Sequence, residues 1–400
     1  MYARAFAAPA RLRTRRAPSL NSTIFLLSIA AFASAASLRV TDALLPRIAA
    51  EFGVGLAAAS SAITAFAVAY GAMQLLFGPL GDRFGKLRVI AVAAGGAAIA
   101  SLACFAAAGF EAFLVARAAA GGFCACIIPL SMAWIGDVVP YEERQPVLAR
   151  FLIGQIMGVA AGAALGGFAA EASDWRWPFA ALGAWLALAC VALAFAARRD
   201  RRPHATPGRF LHDLAGVLSA PWARVVIVTV FAEGMLVFGA LAFVPTHLHF
   251  ARGMELSQAG LMLVAFGFGG VAFAVVVRGA VRRLGETGLA IGGSVLLGAS
   301  LALVALAPWR ALAPFACLLA GFGFYMLHNT LQTNATQMAP ERRGAGMALF
   351  ASCYYMGQSA GVAAAGAAAQ AWGTTPLIVA ASLLLVPVGV GFARRLRHRR

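Results

Sequence analysis

Eight stretches of the chain are each long enough to cross a hydrocarbon layer and contain no Asp, Glu, Lys or Arg: residues 57–77, 89–109, 151–170, 178–197, 256–277, 287–309, 344–371 and 373–393. A bilayer core is about 30 Å thick and an α-helix rises about 1.5 Å per residue, so roughly 20 apolar residues span it. Inside that layer each segment must satisfy its own backbone hydrogen bonds, which directs such runs into helices. Four more spans, near 21–49, 112–135, 225–248 and 311–338, complete a set of twelve. Only 12% of the 400 residues are charged and 62% are apolar, too little charge for a soluble domain of this size. The expected fold is an all-α membrane protein.

A net charge of +17 would suggest nucleic-acid binding in a soluble chain, but its distribution points to topology instead. With the N-terminus placed in the cytoplasm, 26 of the 32 basic residues fall on that side. They include Arg83, Lys86 and Arg88 between the second and third spans, Arg198 to Arg224 in the middle of the chain, and Arg394 to Arg400 at its end. This bias predicts a multi-pass protein of a bacterial inner membrane with both termini cytoplasmic and no nucleic-acid partner. Ala33-Ser34-Ala35 offers a signal-peptidase site, yet eleven further spans favour an uncleaved anchor. The six cysteines all lie inside spans and lack His partners, so neither a disulfide framework, a metal site nor a cofactor is expected. No phosphate-cradling loop and no nucleophile–base constellation is present, which argues against ATP drive and against an enzyme.

The longest polar stretch, 198–221, divides the chain. It predicts a basic tail at 1–20, a six-helix bundle at 21–197, a cytoplasmic linker, a second bundle at 222–394 and a basic tail at 395–400. The bundles look related. Gly154-Gln-Ile-Met-Gly-Val-Ala-Ala recurs 203 residues later as Gly357-Gln-Ser-Ala-Gly-Val-Ala-Ala, and the Pro140-Tyr-Glu-Glu-Arg144 corner recurs after 200 residues as Pro340-Glu-Arg-Arg343. Two parallel repeats about an axis along the membrane normal are a known transporter plan, with the solute site between them near the midplane.

Between the second and third spans runs Gly78-Pro-Leu-Gly81-Asp82-Arg83-Phe84-Gly85-Lys86-Leu87-Arg88. This resembles the signature loop of the major facilitator superfamily in both pattern and position, and the resemblance covers the whole chain. It implies twelve helices in two pseudo-symmetric bundles and a latch that holds the cytoplasmic gate shut in the outward-facing state. Physically, Asp82 suits the N-terminus of a neighbouring helix, for which the start of the eleventh span at Gly344–Gly346 is the natural candidate. Pairing of Arg83 or Lys86 with Asp137 is expected to add to the coupling of the halves. The equivalent second-half loop, Arg278-Gly-Ala-Val-Arg282-Arg283-Leu-Gly285, has Arg282 at the Asp position, so its latch is degenerate.

In the fifth span, Gly158, Gly162, Gly166 and Gly167 are similar to the family's drug:proton antiporter motif, although Ala163 stands where that motif carries Pro. Residues four apart share a helix face, so these glycines allow close helix packing. Arg117 and Gly121 match the helix-four Arg-x-x-x-Gly element, for which the resemblance implies help with proton transfer.

Charges inside spans are expensive and mark function by default. Arg39, Asp42, Arg117 and Glu233 are in this class. Asp42 and Arg117 have matching depths, so an Asp42–Arg117 or an Asp42–Arg39 pair is expected, with Asp42 a proton carrier if the pair opens. Glu233 has no basic residue in its own span and is suited to load and release a proton. Alternatively it is a hydrogen-bonded packing group. Tyr325, His328, Asn329 and Gln332 form a polar stripe on the tenth span, as candidates for solute binding. Gln155 and Gln358, at repeat-related positions, are expected to face each other across the cavity. The function expected is secondary active transport of a small organic solute by rocker-switch alternating access in a monomer. Proton-coupled efflux is the leading form, with proton-coupled uptake of a polar metabolite and a non-transporting sensor as alternatives.

Overall fold

The computed structural model describes residues 20–200 and 210–399. Residues 1–19 of the expected tail 1–20, 201–209 of the expected linker 198–221 and Arg400 of the expected tail 395–400 lie outside the described residues, while 395–399 continue the last helix, Thr374–Arg399. Ten described helices are long and apolar enough to cross a bilayer. One of them, Leu256–Leu306, is 51 residues long and turns at Gly285 (φ 61°, ψ 176°), so it supplies two crossings. The 30-residue helix Arg343–Trp372, rich in Gly and Ala, packs along two other spans and completes the twelve.

In chain order these are α1 (Leu20–Phe52), α2 (Leu56–Phe84), α3 (Lys86–Ala106), α4 (Phe110–Val138), α5 (Tyr141–Glu171), α6 (Trp177–Ala197) and α7 (Pro221–Arg252). They continue as α8 (256–284), α9 (286–306), α10 (Ala313–Ala335), α11 (Arg343–Trp372) and α12 (Thr374–Arg399). A short linker helix, Phe210–Ser219, joins α6 to α7 and is clamped by Arg342, whose Nε lies 3.3 Å from Asp213 Oδ1.

The repeat is visible in the backbone. Gly53 and Gly253 share φ/ψ near 62°/32° and 61°/33°, and each closes the helix before it with an N–H to a carbonyl four residues back. Gly85 and Gly285, again 200 residues apart, both have positive φ at the turns from α2 to α3 and from α8 to α9. Only Gly adopts that conformation without strain, and both loops carry it although only the first also carries Asp. Both α1 and α7 break before a Pro, at Asp42–Leu44 and at Ala242-Phe243.

Small residues bring the helices together. A Cβ at Gly154, Gly158, Gly162 or Gly166 of α5 would overlap the main-chain oxygen of Ser28, Phe32, Ala36 or Val40 of α1. Gly357 and Gly361 of α11 lie in the same way against Phe231 and Met235 of α7. Between membrane helices, where lipid is as apolar as Leu, this backbone approach supplies the van der Waals contact that holds a pair.

Two seams join the halves, α2 with α11 and α5 with α8. The face that carries Arg83, Lys86, Arg342 and Arg343 is here called the basic face. Away from it the seams are tight: Gly366 of α11 is so close to α2 that an added Cβ would lie 3.2 Å from Ala57 Cα, and Gly167 of α5 is related in the same way to Ser257 Cα of α8. On the basic face, a Cβ at Gly78 of α2 or Gly344 of α11 would meet no atom within 4 Å. The two seams are therefore closely packed on the opposite face, while Gly78 and Gly344 on the basic face have open space around them. We expect Gly162→Leu to destabilise the fold by about 3 kcal/mol through overpacking. Gly391→Ala on α12, which has open space around it, should stay within about 1 kcal/mol of wild type. Thermal unfolding of the purified protein checks both.

Candidate functional site

The break in α1 sets the first charged group. Its short turn brings Arg39 Nη1 to 3.3 Å from Asp42 Oδ2, with both side chains buried. The pair is thus Asp42–Arg39. Arg117 instead donates from Nη1 to Ser37 O at 3.1 Å and from Nε to Ala62 O at 3.4 Å, and its guanidinium lies 4.4 Å from the Phe66 ring centroid. It ties α4 to α1 and α2. The depths of Asp42 and Arg117 match, as the sequence suggests, but the i, i+3 neighbour within one bent helix is nearer than a guanidinium on another helix.

The second charged group lies across the interface. Glu233 of α7 is fully buried, and its Oε2 is 2.8 Å from Nδ1 of His328 on α10. The carboxyl that looked isolated in its own span therefore has a partner, which only the packing of α7 on α10 reveals. With the proton on Nδ1 the imidazole donates to the carboxylate. Among the described residues, Glu233 Oε1, Asp42 Oδ1 and both amide atoms of the buried Gln358 have no hydrogen-bond partner.

Aromatic rings connect the two groups. The Arg39 guanidinium sits 4.1 Å over the Phe238 ring of α7, a cation–π contact between the halves. Phe238 meets Tyr354 of α11 at 5.6 Å between centroids, and Tyr354 meets His328 at 4.9 Å. Tyr355 packs at 4.3 Å on Tyr70 of α2, a second aromatic bridge between the halves. Phe238 and Tyr70 carry no sequence signal of this role, because an apolar ring in a membrane span is indistinguishable from its many neighbours.

The rest of the polar stripe divides. Tyr325 is half-buried with its ring against Gly270 of α8, Asn329 is half-buried, and Gln332 is exposed. Gln155 is half-buried on α5. The three-to-four-residue spacing therefore groups Tyr325 and His328 more closely with the interface than Gln332. At the basic face, Lys86 Nζ lies 2.7 Å from Asp137 Oδ2 and 3.3 Å from Asp82 Oδ1. Lys86 and Asp137 both belong to the first bundle, so this pair braces α3 against α4 and does not couple the halves as expected. Arg83 lies over the neighbouring Phe84 ring, at 5.1 Å. Gly81 packs against the Leu130 side chain.

The Major Facilitator Superfamily model matches residues 27–362. The chain belongs to this superfamily. It is a multi-pass membrane transporter of the secondary type, not an enzyme. It is 24% identical over 325 residues to the uncharacterized MFS-type transporter YceJ of Bacillus subtilis, covering 81% of this chain and 83% of that protein. The putative multidrug resistance protein MdtD of Yersinia pestis is 22% identical, with 88% of each chain covered. The puromycin resistance protein pur8 of Streptomyces alboniger is 33% identical, but the match spans only 48% of this chain and 38% of pur8. A bacterial homolog of the human lysosomal transporter Spinster, in an inward-facing and unoccupied conformation, superposes with a TM-score of 0.77 at 16% identity over 94% of this chain and 97% of that one. The nucleoside transporter NupG gives 0.74 at 14% identity, with 95% and 99% covered.

Removing one member of a buried ion pair strands the other. Arg39→Met is expected to destabilise this transporter by about 3–5 kcal/mol, whereas the double replacement Arg39→Met with Asp42→Leu recovers most of that loss. A double-mutant cycle on thermal unfolding measures it.

Proposed function

We propose that the chain exports a small organic solute in exchange for protons, by alternating access of the site between its halves. The observation that carries this reading is the Glu233–His328 pair. It joins α7 to α10 by one 2.8 Å contact and leaves one carboxyl oxygen without a protein partner. Glu233 lies twelve residues into α7, or about 18 Å along the helix, close to the middle of a bilayer. A proton on Glu233 removes its charge attraction for His328 and so changes the relative stability of two packings of α7 against α10. Solute and proton then bias one two-state equilibrium, the condition for coupling.

In this reading Asp42 is a second proton site on the other bundle, linked to the first through Arg39, Phe238 and Tyr354. Arg117 keeps the turn that holds Asp42 in place by its bonds to α1 and α2. Tyr325, His328, Asn329 and Gln358 contact the solute, with Gln155 and Gln332 towards the margins of the path. Gly158, Gly162 and Gly166 keep α1 and α5 moving as one body, and Gly167 serves the seam with α8. When the basic face closes, Asp82 meets the start of α11, with Gly78, Gly81 and Gly85 allowing the approach, while Arg83 lies over Phe84 and Lys86 and Asp137 brace the loop. The excess of basic residues supports a cytoplasmic side for that face in a bacterial inner membrane, with both termini expected on the same side. One chain contains both seams and both carboxyls, so a monomer suffices. The resistance names of MdtD and pur8 support the outward direction.

Glu233→Gln should abolish solute accumulation driven by a pH gradient in proteoliposomes while solute counterflow continues at a comparable rate. Undiminished gradient-driven accumulation by this variant overturns the role.

A further inference from the structure

The closed opposite face is fastened by two side chains that cap helices of the other half. Glu171, the last residue of α5, accepts a hydrogen bond from the backbone N–H of Ser257 at 2.8 Å, in the first turn of α8. Gln370, near the end of α11, accepts through Oε1 from the backbone N–H of Ala57 at 3.2 Å, in the first turn of α2. The two donors are 200 residues apart and occupy the same repeat position. Each acceptor stands four residues after the glycine that brings its helix onto the partner: Gly167 then Glu171, and Gly366 then Gln370. Gly55 leaves the space for the second contact, since a Cβ there would lie 2.7 Å from Gln370 Oε1.

We propose that Glu171 and Gln370 are paired latches of the gate on the opposite face, one charged and one neutral, and that they release together when that face opens. This rests on the alternating-access reading above. The N-terminus of a helix carries unpaired N–H groups and a partial positive charge. A carboxylate satisfies both and a carboxamide only the first. The α5–α8 seam therefore holds the stronger latch, and the α2–α11 seam the weaker. Opening the face withdraws each acceptor and exposes an amide, so each contact stabilises only the closed state. This differs from an ordinary cap, because acceptor and donor belong to bodies that separate.

Hydrogen exchange read by mass spectrometry on the full chain in nanodiscs, without solute or gradient, tests the proposal. The peptides that matter cover the starts of α2 and α8. Glu171→Ala should speed exchange about two- to fivefold in both peptides, the range a helix-end contact supports. Gln370→Ala should do the same to a smaller extent, also in both. Gln370→Glu should slow exchange in both peptides, a gain that misfolding does not produce. Gly55→Ala, which displaces Gln370 without altering it, should mimic Gln370→Ala. If each variant changes only the peptide it touches, or neither, the contacts are local caps and the proposal is overturned. Because no proton or solute enters the measurement, its failure is separate from that of the Glu233 experiment.

Discussion

Backbone-to-backbone approach between helices is the constraint on which the rest depends. Lipid provides no hydrophobic drive for helix pairing, so the α1–α5 and α7–α11 pairs rely on contact distance, and glycine at every fourth position is what permits it. Those two pairs put the breaks of α1 and α7 beside the interface of the halves. The breaks in turn present Arg39 and Asp42 on one side, and Phe238 five residues beyond Glu233 on the other. A bulky residue in either glycine row would move a charged group together with its helix.

The charges are tolerable because each is answered. An unpaired ion in a medium of low dielectric constant is far costlier than one with a counter-charge and hydrogen bonds. Arg117 is met by two carbonyls and the Phe66 face, Arg39 by Asp42 and the Phe238 face, and Glu233 by His328. The contact of Arg39 with Phe238 is the one charged contact of this set that crosses between the halves. It forms in a structure whose opposite face is shut, so the electrostatics of the first bundle and the closure of that face are joined in one place.

The two halves share a backbone plan and differ in chemistry. Gly53 and Gly253 repeat almost without change and Gly85 and Gly285 share a positive φ, while the first-half gate loop carries Asp82 and the second Arg282. The seams of the opposite face show the same division, with Glu171 answered by Gln370. Symmetry of shape with asymmetry of charge lets one motion present different groups at its two ends.

Much of this was legible in the chain alone. Span length and the absence of charge set the number of helices, because a bilayer imposes a length and forbids unsatisfied backbone. The positions of Gly158, Gly162 and Gly166 announced close packing, because residues four apart share a face whatever the helix meets. Even the α1 pair was among the alternatives, since Arg39 and Asp42 are near neighbours in sequence. What the chain could not disclose were the pairings between distant segments. His328 lies 95 residues from Glu233 and Glu171 86 from Ser257, and nothing in local periodicity selects one polar side chain over another at such separations. Nor did it separate Lys86 with Asp137 as a brace inside one bundle from a bridge between two. Those choices belong to the tertiary structure, because the register and crossing of the helices decide which buried groups come within hydrogen-bond reach.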